Sequence, residues 1–163
     1  MRNNIVLIGF MASGKTLIGR ALARTTKRFF LDCDALIEGY TGYQVAEIFE
    51  YQKEARFREL ERLTAHWLER SVGNAVIATG GGMPTTCDNL RRIGETLYLE
   101  CTFETVANRL KNAIEREKRP LAQSLEILQK RFLEREPIYK NAADRIIDAN
   151  GSIEYILGDI IAG

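Results

Sequence analysis

The chain has 163 residues, 45% of them hydrophobic and 28% charged, a size and composition that fit one globular domain over residues 1–163. Lys and Arg (23) nearly balance Asp and Glu (22), so the net charge of +1 provides no basic field for holding a nucleic-acid backbone. No segment approaches the ~20 apolar residues that span a bilayer, and we expect neither a nucleic-acid nor a membrane partner.

The first predicted strand, Asn4 to Ile8, leads into a glycine-rich loop. Gly9 to Thr16 match the pattern G-x-x-x-x-G-K-[ST], and a helical stretch through Arg24 follows. In this pattern backbone N–H groups surround phosphate oxygens, the lysine reaches the outer phosphates, and the hydroxyl binds Mg²⁺. The loop therefore predicts ATP binding by the following residues: Ala12, Ser13, Gly14, Lys15, Thr16 and Leu17.

Two carboxylates follow the second predicted strand, Arg28 to Leu31. Asp32 and Asp34 are two residues apart, so they point the same way if the strand geometry persists. Both would face the phosphate loop if this strand neighbours the first. Asp32 could then hold Mg²⁺ while Asp34 accepts the proton of an attacking hydroxyl. The alternative is that one of them, Asp34 in our interpretation, only caps the helix beginning near Ala35.

A helix is predicted over Lys53 to Arg70. At ~100° per residue its apolar side chains share one face: Phe57, Leu60, Thr64, Trp67 and Leu68. Glu61 falls within that face, and Arg58 lies at its margin three residues earlier, where the two side chains can meet. A carboxylate on a core-facing stripe requires a cationic partner, so the pattern predicts an Arg58–Glu61 ion pair.

The third predicted strand, Ala75 to Ala78, is followed by Gly80, Gly81 and Gly82. Three consecutive glycines reduce stability unless a ligand or another chain segment must approach the backbone closely. A flexible surface turn is the alternative. The position of the triplet at the carboxyl end of a strand favours substrate contact.

Two prolines and a charged segment mark the C-terminal half. The segment Lys111 to Arg119 is almost entirely charged and predicts an exposed, mobile stretch. Pro120 and Pro137 each end a helical pattern, because the residue before a proline avoids the helical region. Arg119 precedes Pro120 and Arg135 lies two residues before Pro137, and the guanidinium fork of either suits a carboxylate or a phosphate.

Strand candidates at Thr96 to Leu99 and Arg145 to Ile147 complete a set of five. Their alternation with helical stretches predicts an α/β fold, a three-layer phosphate-binding-loop architecture with a five-stranded parallel sheet and helices on both faces. In such folds ligands bind at the carboxyl ends of the strands. The glycine-rich loop, the Asp pair and the glycine triplet all follow strand ends.

The cysteines and the single histidine indicate the compartment and limit the chemistry. Cys33, Cys87 and Cys101 are an odd number without a C-x-x-C spacing, which disfavours disulfides and zinc. The apolar stretch Ile5 to Met11 is too short for a secretory signal, so we expect reduced thiols in the cytoplasm. His66 lies in a helix without a motif and is expected to be structural or solvent-facing.

Taken together, these motifs resemble those of the shikimate kinase family over nearly the whole chain. The ordered set is more specific than any one member except the loop. Its parts are Gly-Phe-Met-x-Ser-Gly-Lys-Thr at 9–16, Asp-x-Asp at 32–34, Phe57-Arg58 with Glu61, Thr-Gly-Gly-Gly at 79–82, Lys-Arg-Pro-Leu at 118–121 and Glu-Arg-x-Pro-x-Tyr at 134–139.

The resemblance implies Mg²⁺-dependent transfer of the ATP γ-phosphate to the 3-hydroxyl of shikimate by a monomer. It implies roles for individual residues as well. Asp34 would be the base, and Lys15 and Arg119 would act on the phosphates. Shikimate would be bound by Asp34, Arg58, Gly81, Gly82 and Arg135, with Arg58 held by Glu61. Metal would be held by Thr16 and Asp32, and Arg109 would lie near the adenine.

Departures from the family pattern affect the loop, the aspartate pair and the lid, where Leu121-Ala122 replace the family's paired leucines and the stretch to Arg135 is short. Ala12 stands where the family usually has glycine, and a positive φ there would cost about 1 kcal/mol. Cys33 replaces a usual Ser or Thr, and Leu17 a common hydroxyl residue. The mobile lid implied by the family is expected at about residues 111–124.

Two other functions remain as alternatives. One is another small-molecule kinase of this fold, acting on gluconate or a nucleotide, and the other is a nucleotide-binding regulatory module.

Overall fold

The computed structural model describes residues 3–117 and 124–163. Its sheet has five strands: β1 Ile5–Ile8, β2 Phe29–Asp32, β3 Ala75–Ala78, β4 Glu95–Glu100 and β5 Arg145–Asp148. All are parallel, in the spatial order β2-β3-β1-β4-β5. The predicted strands are therefore confirmed, with ends that differ by one residue or less from those expected.

Helices surround this sheet in the described part of the chain, which confirms the α/β class. They are α1 Lys15–Thr25, α2 Cys33–Thr41, α3 Val45–Glu47, α4 Lys53–Ser71, α5 Leu90–Ile93, α6 Phe103–Glu117, α7 Leu125–Ala142 and α8 Ile153–Ala162. A π-helical turn, Ile48–Gln52, precedes α4, and a 3₁₀ turn, Met83–Thr85, follows β3. The predicted lid overlaps the end of α6, and residues 118–123 lie outside the described residues.

The core is centred on β1, which lies between β3 and β4. Val6, Leu7 and Ile8 are completely buried, as expected for a strand covered on both faces. From β1 the chain first forms β2 and then β3 on one side of β1, and it later forms β4 and β5 on the other side. The order therefore reverses next to β1, and a crevice for ligands forms beyond the carboxyl ends of the strands at such a point.

The arrangement of the two aspartates differs from the prediction. Strand β2 pairs with β3 rather than with β1. Helix α2 begins at Cys33, so strand geometry ends at Asp32 and the two carboxylates do not simply alternate along a strand. The helix cap is Asp32, whose Oδ1 accepts from the amide of Asp34 at 3.0 Å, so the interpretation of Asp34 as the cap was wrong. The reason is that the chain turns into the helix two residues earlier than expected.

Two helical predictions also need correction. Pro137 does not end a helix but lies inside α7. The proline removes a hydrogen bond to the carbonyl of Leu133, a residue 59% exposed, so water can satisfy the freed oxygen. Trp67 is 45% exposed instead of buried with the rest of its helix face. It lies about 90° from the centre of the buried stripe, so it falls at the margin.

The predictions about the cysteines and the histidine agree with the structure. All three cysteines are buried free thiols. His66 is solvent-exposed on α4. Among the described residues, no helix is long and apolar enough to cross a membrane.

Candidate active site

The phosphate loop connects β1 to α1 and has the backbone geometry that its glycines allow. Gly9 has a φ of 150° and Gly14 a φ of 97°, both in the region that side chains rarely adopt. A Cβ on Gly9 would approach the Leu99 carbonyl and the Ser13 hydroxyl to 2.9 Å. Ala12 also has a positive φ, 60°, which confirms that this departure from the family pattern places a side chain in a strained conformation.

The Lys15 ammonium group lies within the loop. Its Nζ donates to the carbonyls of Gly9 at 2.8 Å and Phe10 at 2.9 Å, and it approaches the Ser13 hydroxyl at 3.4 Å. Burial lowers the pKa of Lys15 to about 8, against the opposing influence of Asp34 and Asp32. A phosphate anion would satisfy this desolvated cation better than carbonyl dipoles can.

Thr16 and Asp32 form an oxygen pair beside the loop. The Thr16 hydroxyl donates to Asp32 Oδ2 at 3.0 Å, although β2 does not neighbour β1. Helix α1 makes this contact possible because it packs across β3 and β2. A hydroxyl and a carboxylate next to a phosphate site suit Mg²⁺, which takes one or two protein ligands and completes its shell with phosphates and water.

Asp34 has a carboxylate oxygen that lies buried beside the glycine triplet. Its Oδ1 is buried without a hydrogen-bond partner, and burial raises the pKa of Asp34 to about 6, aided by the nearby charges of Asp32 and Glu61. A Cβ on Gly80 would come within 2.8 Å of that oxygen. The absence of a side chain at Gly80 therefore leaves space beside a carboxylate that is suited to accept a proton near neutral pH.

Arg58 and Glu61 form the ion pair predicted from the helical pattern. Arg58 Nη1 lies 2.7 Å from Glu61 Oε2, and the side chain of Glu61 is only 1% exposed. Burial raises the pKa of Glu61, while the hydrogen bond from Arg58 opposes that effect. Glu54, not anticipated as a partner, binds the other side of the guanidinium at 2.7 Å. Its position four residues before Arg58 is the signal that could have identified it.

The glycine triplet receives two guanidinium groups. A Cβ on Gly82 would collide with Arg58 Nη1, so only glycine permits this approach. Arg135 Nη1 lies 3.7 Å from the corresponding Cβ position of Gly81. The two arginines come from α4 and α7, far apart in sequence, and converge on one loop at the carboxyl end of β3. Two fixed guanidinium groups beside backbone amides are suited to bind a carboxylate or phosphate.

Arg109 lies behind the phosphate loop. Its Nη1 donates to the carbonyls of Ala12 and Ser13, both at 3.2 Å, and its Nη2 donates to the carbonyl of Ala149 at 2.8 Å. The guanidinium therefore contacts the loop backbone, a role that the sequence did not suggest. Leu17 is exposed on the first turn of α1. Arg119 lies outside the described residues.

The structure thus brings two groups of predicted residues to one edge of the sheet. One group is the phosphate loop with Thr16 and Asp32, and the other comprises Asp34, Arg58, the glycine triplet and Arg135.

Tyr139 ends the Glu-Arg-x-Pro-x-Tyr motif at 134–139, but the sequence suggested no role for it. Its hydroxyl donates to the Gly81 carbonyl at 2.6 Å.

A parallel sheet with a glycine-rich phosphate loop after its central strand defines the class of phosphate-binding-loop nucleotide-binding proteins. The family model described as shikimate kinase matches residues 11–162. A shikimate kinase from Helicobacter hepaticus is 44% identical over 158 residues, covering 97% of this chain and 93% of that protein. The chain belongs to the shikimate kinase family.

Solved structures agree with this assignment. The shikimate kinase from Acinetobacter baumannii in complex with shikimate aligns with a TM-score of 0.82 and 34% identity, covering 98% of this chain and 90% of that one. The shikimate kinase from Bacteroides thetaiotaomicron aligns with a TM-score of 0.88 and 30% identity, covering 98% and 97% of the two chains. The sequence match and the structural match therefore agree on the fold and the family.

Proposed function

We propose that this chain transfers the γ-phosphoryl group of ATP to the 3-hydroxyl of shikimate, giving shikimate 3-phosphate and ADP. The observation that carries the proposal is the convergence of Arg58 and Arg135 on the glycine triplet, beside Asp34 and the phosphate loop. A carboxylate bound at the two arginines leaves the ring hydroxyls of the same molecule free to face Asp34.

The phosphate loop holds the nucleotide. Its backbone amides and the start of α1 bind phosphate oxygens, and Lys15 leaves its carbonyl partners to pair with the outer phosphates. Arg109 contacts the carbonyls of Ala12 and Ser13 from behind the loop, and the family resemblance implies that it lies near the adenine. For Arg119, which lies outside the described residues, the family resemblance implies a contact with the same phosphates.

Asp34 accepts the proton of the attacking hydroxyl. A bond forms between the substrate 3-oxygen and the γ-phosphorus, the bond from that phosphorus to the ADP oxygen breaks, and the hydroxyl proton moves to Asp34. A carboxylate with a pKa of about 6 is largely ionised at neutral pH and more basic than an ordinary aspartate. Glu61 keeps Arg58 oriented toward the glycine triplet through their 2.7 Å ion pair.

Thr16 and Asp32 would hold Mg²⁺ through their adjacent oxygens. When bound, the ion neutralises charge on the β- and γ-phosphates. Titration of Mg²⁺ into the metal-free protein with ATP and shikimate should restore turnover. The Thr16→Val variant, which keeps the side-chain shape but removes the hydroxyl, should require more Mg²⁺ for the same rate.

The experiment that tests the proposal is ADP release by the purified protein with different acceptors. We expect ADP release to depend on shikimate and to remain at the ATP-only background with gluconate or nucleoside monophosphates. Equal rates with and without shikimate would contradict the proposal. Turnover with gluconate or a nucleotide instead would identify another small-molecule kinase of this fold.

We also propose that the active protein is a cytoplasmic monomer acting in aromatic amino-acid biosynthesis. Three buried thiols fit a reducing compartment. Light scattering during size exclusion should give the mass of a single chain. A dimer at working concentration would contradict this part of the proposal.

A further inference from the structure

Tyr139 contacts the acceptor site through the carbonyl of Gly81, although nothing in the phosphoryl-transfer scheme uses it. The residue is 1% exposed, and its ring packs against that of Tyr98 with the centroids 5.3 Å apart. Its hydroxyl donates to Gly81 at 2.6 Å, a short hydrogen bond that links α7 to the loop after β3. Burial raises the pKa of Tyr139 to about 12, so the hydroxyl keeps the proton that it donates.

The bonded carbonyl belongs to the peptide between Gly81 and Gly82. The peptide is planar and trans, so its N–H points opposite to its C=O. A hydroxyl that fixes the direction of the Gly81 carbonyl therefore also fixes the direction of the Gly82 amide. That amide then points away from Tyr139.

A Gly–Gly peptide needs such an external contact. Neither residue has a Cβ, so rotating the peptide plane meets little steric resistance. Glycine is nevertheless required at Gly82 because the Arg58 guanidinium occupies the space of a side chain. Glycine at position 82 makes room for Arg58 but leaves the Gly81–Gly82 peptide plane easy to rotate. The hydrogen bond from the Tyr139 hydroxyl fixes the orientation of that plane.

Gly82 is buried, and among the described residues its amide lacks an acceptor, which a bound ligand could supply. The hydrogen bonds of residues 3–117 and 124–163 include none donated by this amide or by that of Gly81. Arg135, one helical turn before Tyr139 on α7, lies beside Gly81 as well. Helix α7 thus brings one cationic group to the acceptor site and holds the peptide next to it.

We propose that Tyr139 is a positioning residue for the acceptor substrate: its hydroxyl holds the Gly81–Gly82 peptide so that the Gly82 N–H faces shikimate. The inference rests on the proposed function. The amide contact is made in the ground state and the transition state alike, so it contributes to the KM for shikimate and not to kcat.

The test is the Tyr139→Phe variant, with Tyr98→Phe as the matched control. Both remove one hydroxyl from the same ring pair, but only the Tyr139 hydroxyl contacts the glycine loop, and it also interacts with Arg135. We expect Tyr139→Phe to raise the KM for shikimate about tenfold, with kcat and the KM for ATP changed less than about twofold. Tyr98→Phe should leave all three within about twofold.

A spectrum of the free protein provides a readout that is independent of turnover. In ¹H–¹⁵N spectra, Tyr139→Phe should shift the amide resonances of Gly81 and Gly82, and Tyr98→Phe should not. An unchanged KM for shikimate, or unchanged glycine resonances in Tyr139→Phe, would overturn the proposal. Equal increases in both KM values would indicate a merely structural role. If wild type shows no shikimate-dependent turnover, the proposed function fails, while the spectra still report on the peptide.

Discussion

The nucleotide side and the acceptor side of this site are built in different ways. The nucleotide side is one continuous segment, Gly9 to Thr16, whose functional groups are mostly backbone amides and one lysine. The acceptor side is assembled from α2, α4, the loop after β3 and α7. The first requires only a strand, a loop and a helix in succession, whereas the second exists only once distant elements have packed together.

The two sides also differ in their electrostatics. The nucleotide side buries a cation, Lys15, among carbonyl groups. The acceptor side buries carboxylates, and Asp34 Oδ1 and Glu61 Oε1 have no hydrogen-bond partner among the described residues. Lys15 therefore carries a charge that a phosphate would satisfy, and Asp34 one that a proton would satisfy, whereas Glu61 is already paired with Arg58. Such sites reduce stability and are retained because the chemistry requires them.

The largest effect is expected from a variant of Asp34, which should impair turnover without impairing ATP binding. Asp34→Asn keeps the shape of the side chain but cannot accept a proton, so kcat should fall by roughly 10²- to 10⁴-fold. The dissociation constant for ATP, measured by calorimetry, should change less than about threefold because the phosphate loop is untouched. If function were unaffected, the chain would be a nucleotide-binding regulatory module. If ATP binding weakened as much as turnover, the two sides would not be separable.

Arg58→Ala should raise the KM for shikimate by roughly 10- to 100-fold, with little change for ATP. It should also lower the free energy of unfolding by about 3 kcal/mol, because Glu61 would be buried without its cation. Urea denaturation measures the second effect.

The double variant Arg58→Ala/Glu61→Met separates these two consequences. Methionine fills the space of Glu61 without a charge, so most of the lost stability should return while the KM for shikimate stays high. Recovery of the KM together with stability would assign Arg58 a structural role only.

The pH dependence of kcat/KM should show the acceptor side in its acid decline and the nucleotide side in its alkaline decline. At saturating ATP, kcat/KM for shikimate should fall about tenfold per pH unit below about pH 6, because protonated Asp34 is no longer a base. The kcat/KM for ATP should fall above about pH 8, because Lys15 loses its charge in the free enzyme.

Bound phosphates favour the charged form of Lys15, so the alkaline decline should move to higher pH in kcat. Stopped assays across the range, with stability checked at each pH, would measure both limbs. A flat profile between about pH 5 and 7 would contradict the role of Asp34 as the base.

The smallest expected effect concerns the strained position in the loop. Ala12→Gly should raise the free energy of unfolding by about 0.5–1 kcal/mol, since glycine adopts a φ of 60° without the penalty of a Cβ. The matched control is Ala21→Gly in the middle of α1, which should lower it by about 1 kcal/mol. Thermal melts of both variants would measure this. A loss of stability in Ala12→Gly would show that the alanine is not strained.

The sequence predicted the nucleotide side of the site more fully than the acceptor side. The loop was predictable because its motif is contiguous, and the five strands because they are short apolar runs between helical stretches. The Arg58–Glu61 pair followed from helical spacing alone. The contacts of Tyr139 and Arg109 with backbone carbonyls could not be predicted, because they join segments 58 and at least 40 residues apart. The aspartate cap was misassigned because a two-residue difference in the start of α2 changes which side chain reaches the amides.

The most direct test of the account is the identity of the product. ATP and shikimate should be incubated with the protein, and the mixture analysed by ³¹P and ¹H NMR. We predict one phosphate monoester at the 3-position of shikimate for each ADP formed. Inorganic phosphate with unchanged shikimate, or an ester at another hydroxyl, would contradict the assignment of Asp34, Arg58 and Arg135 to a single acceptor.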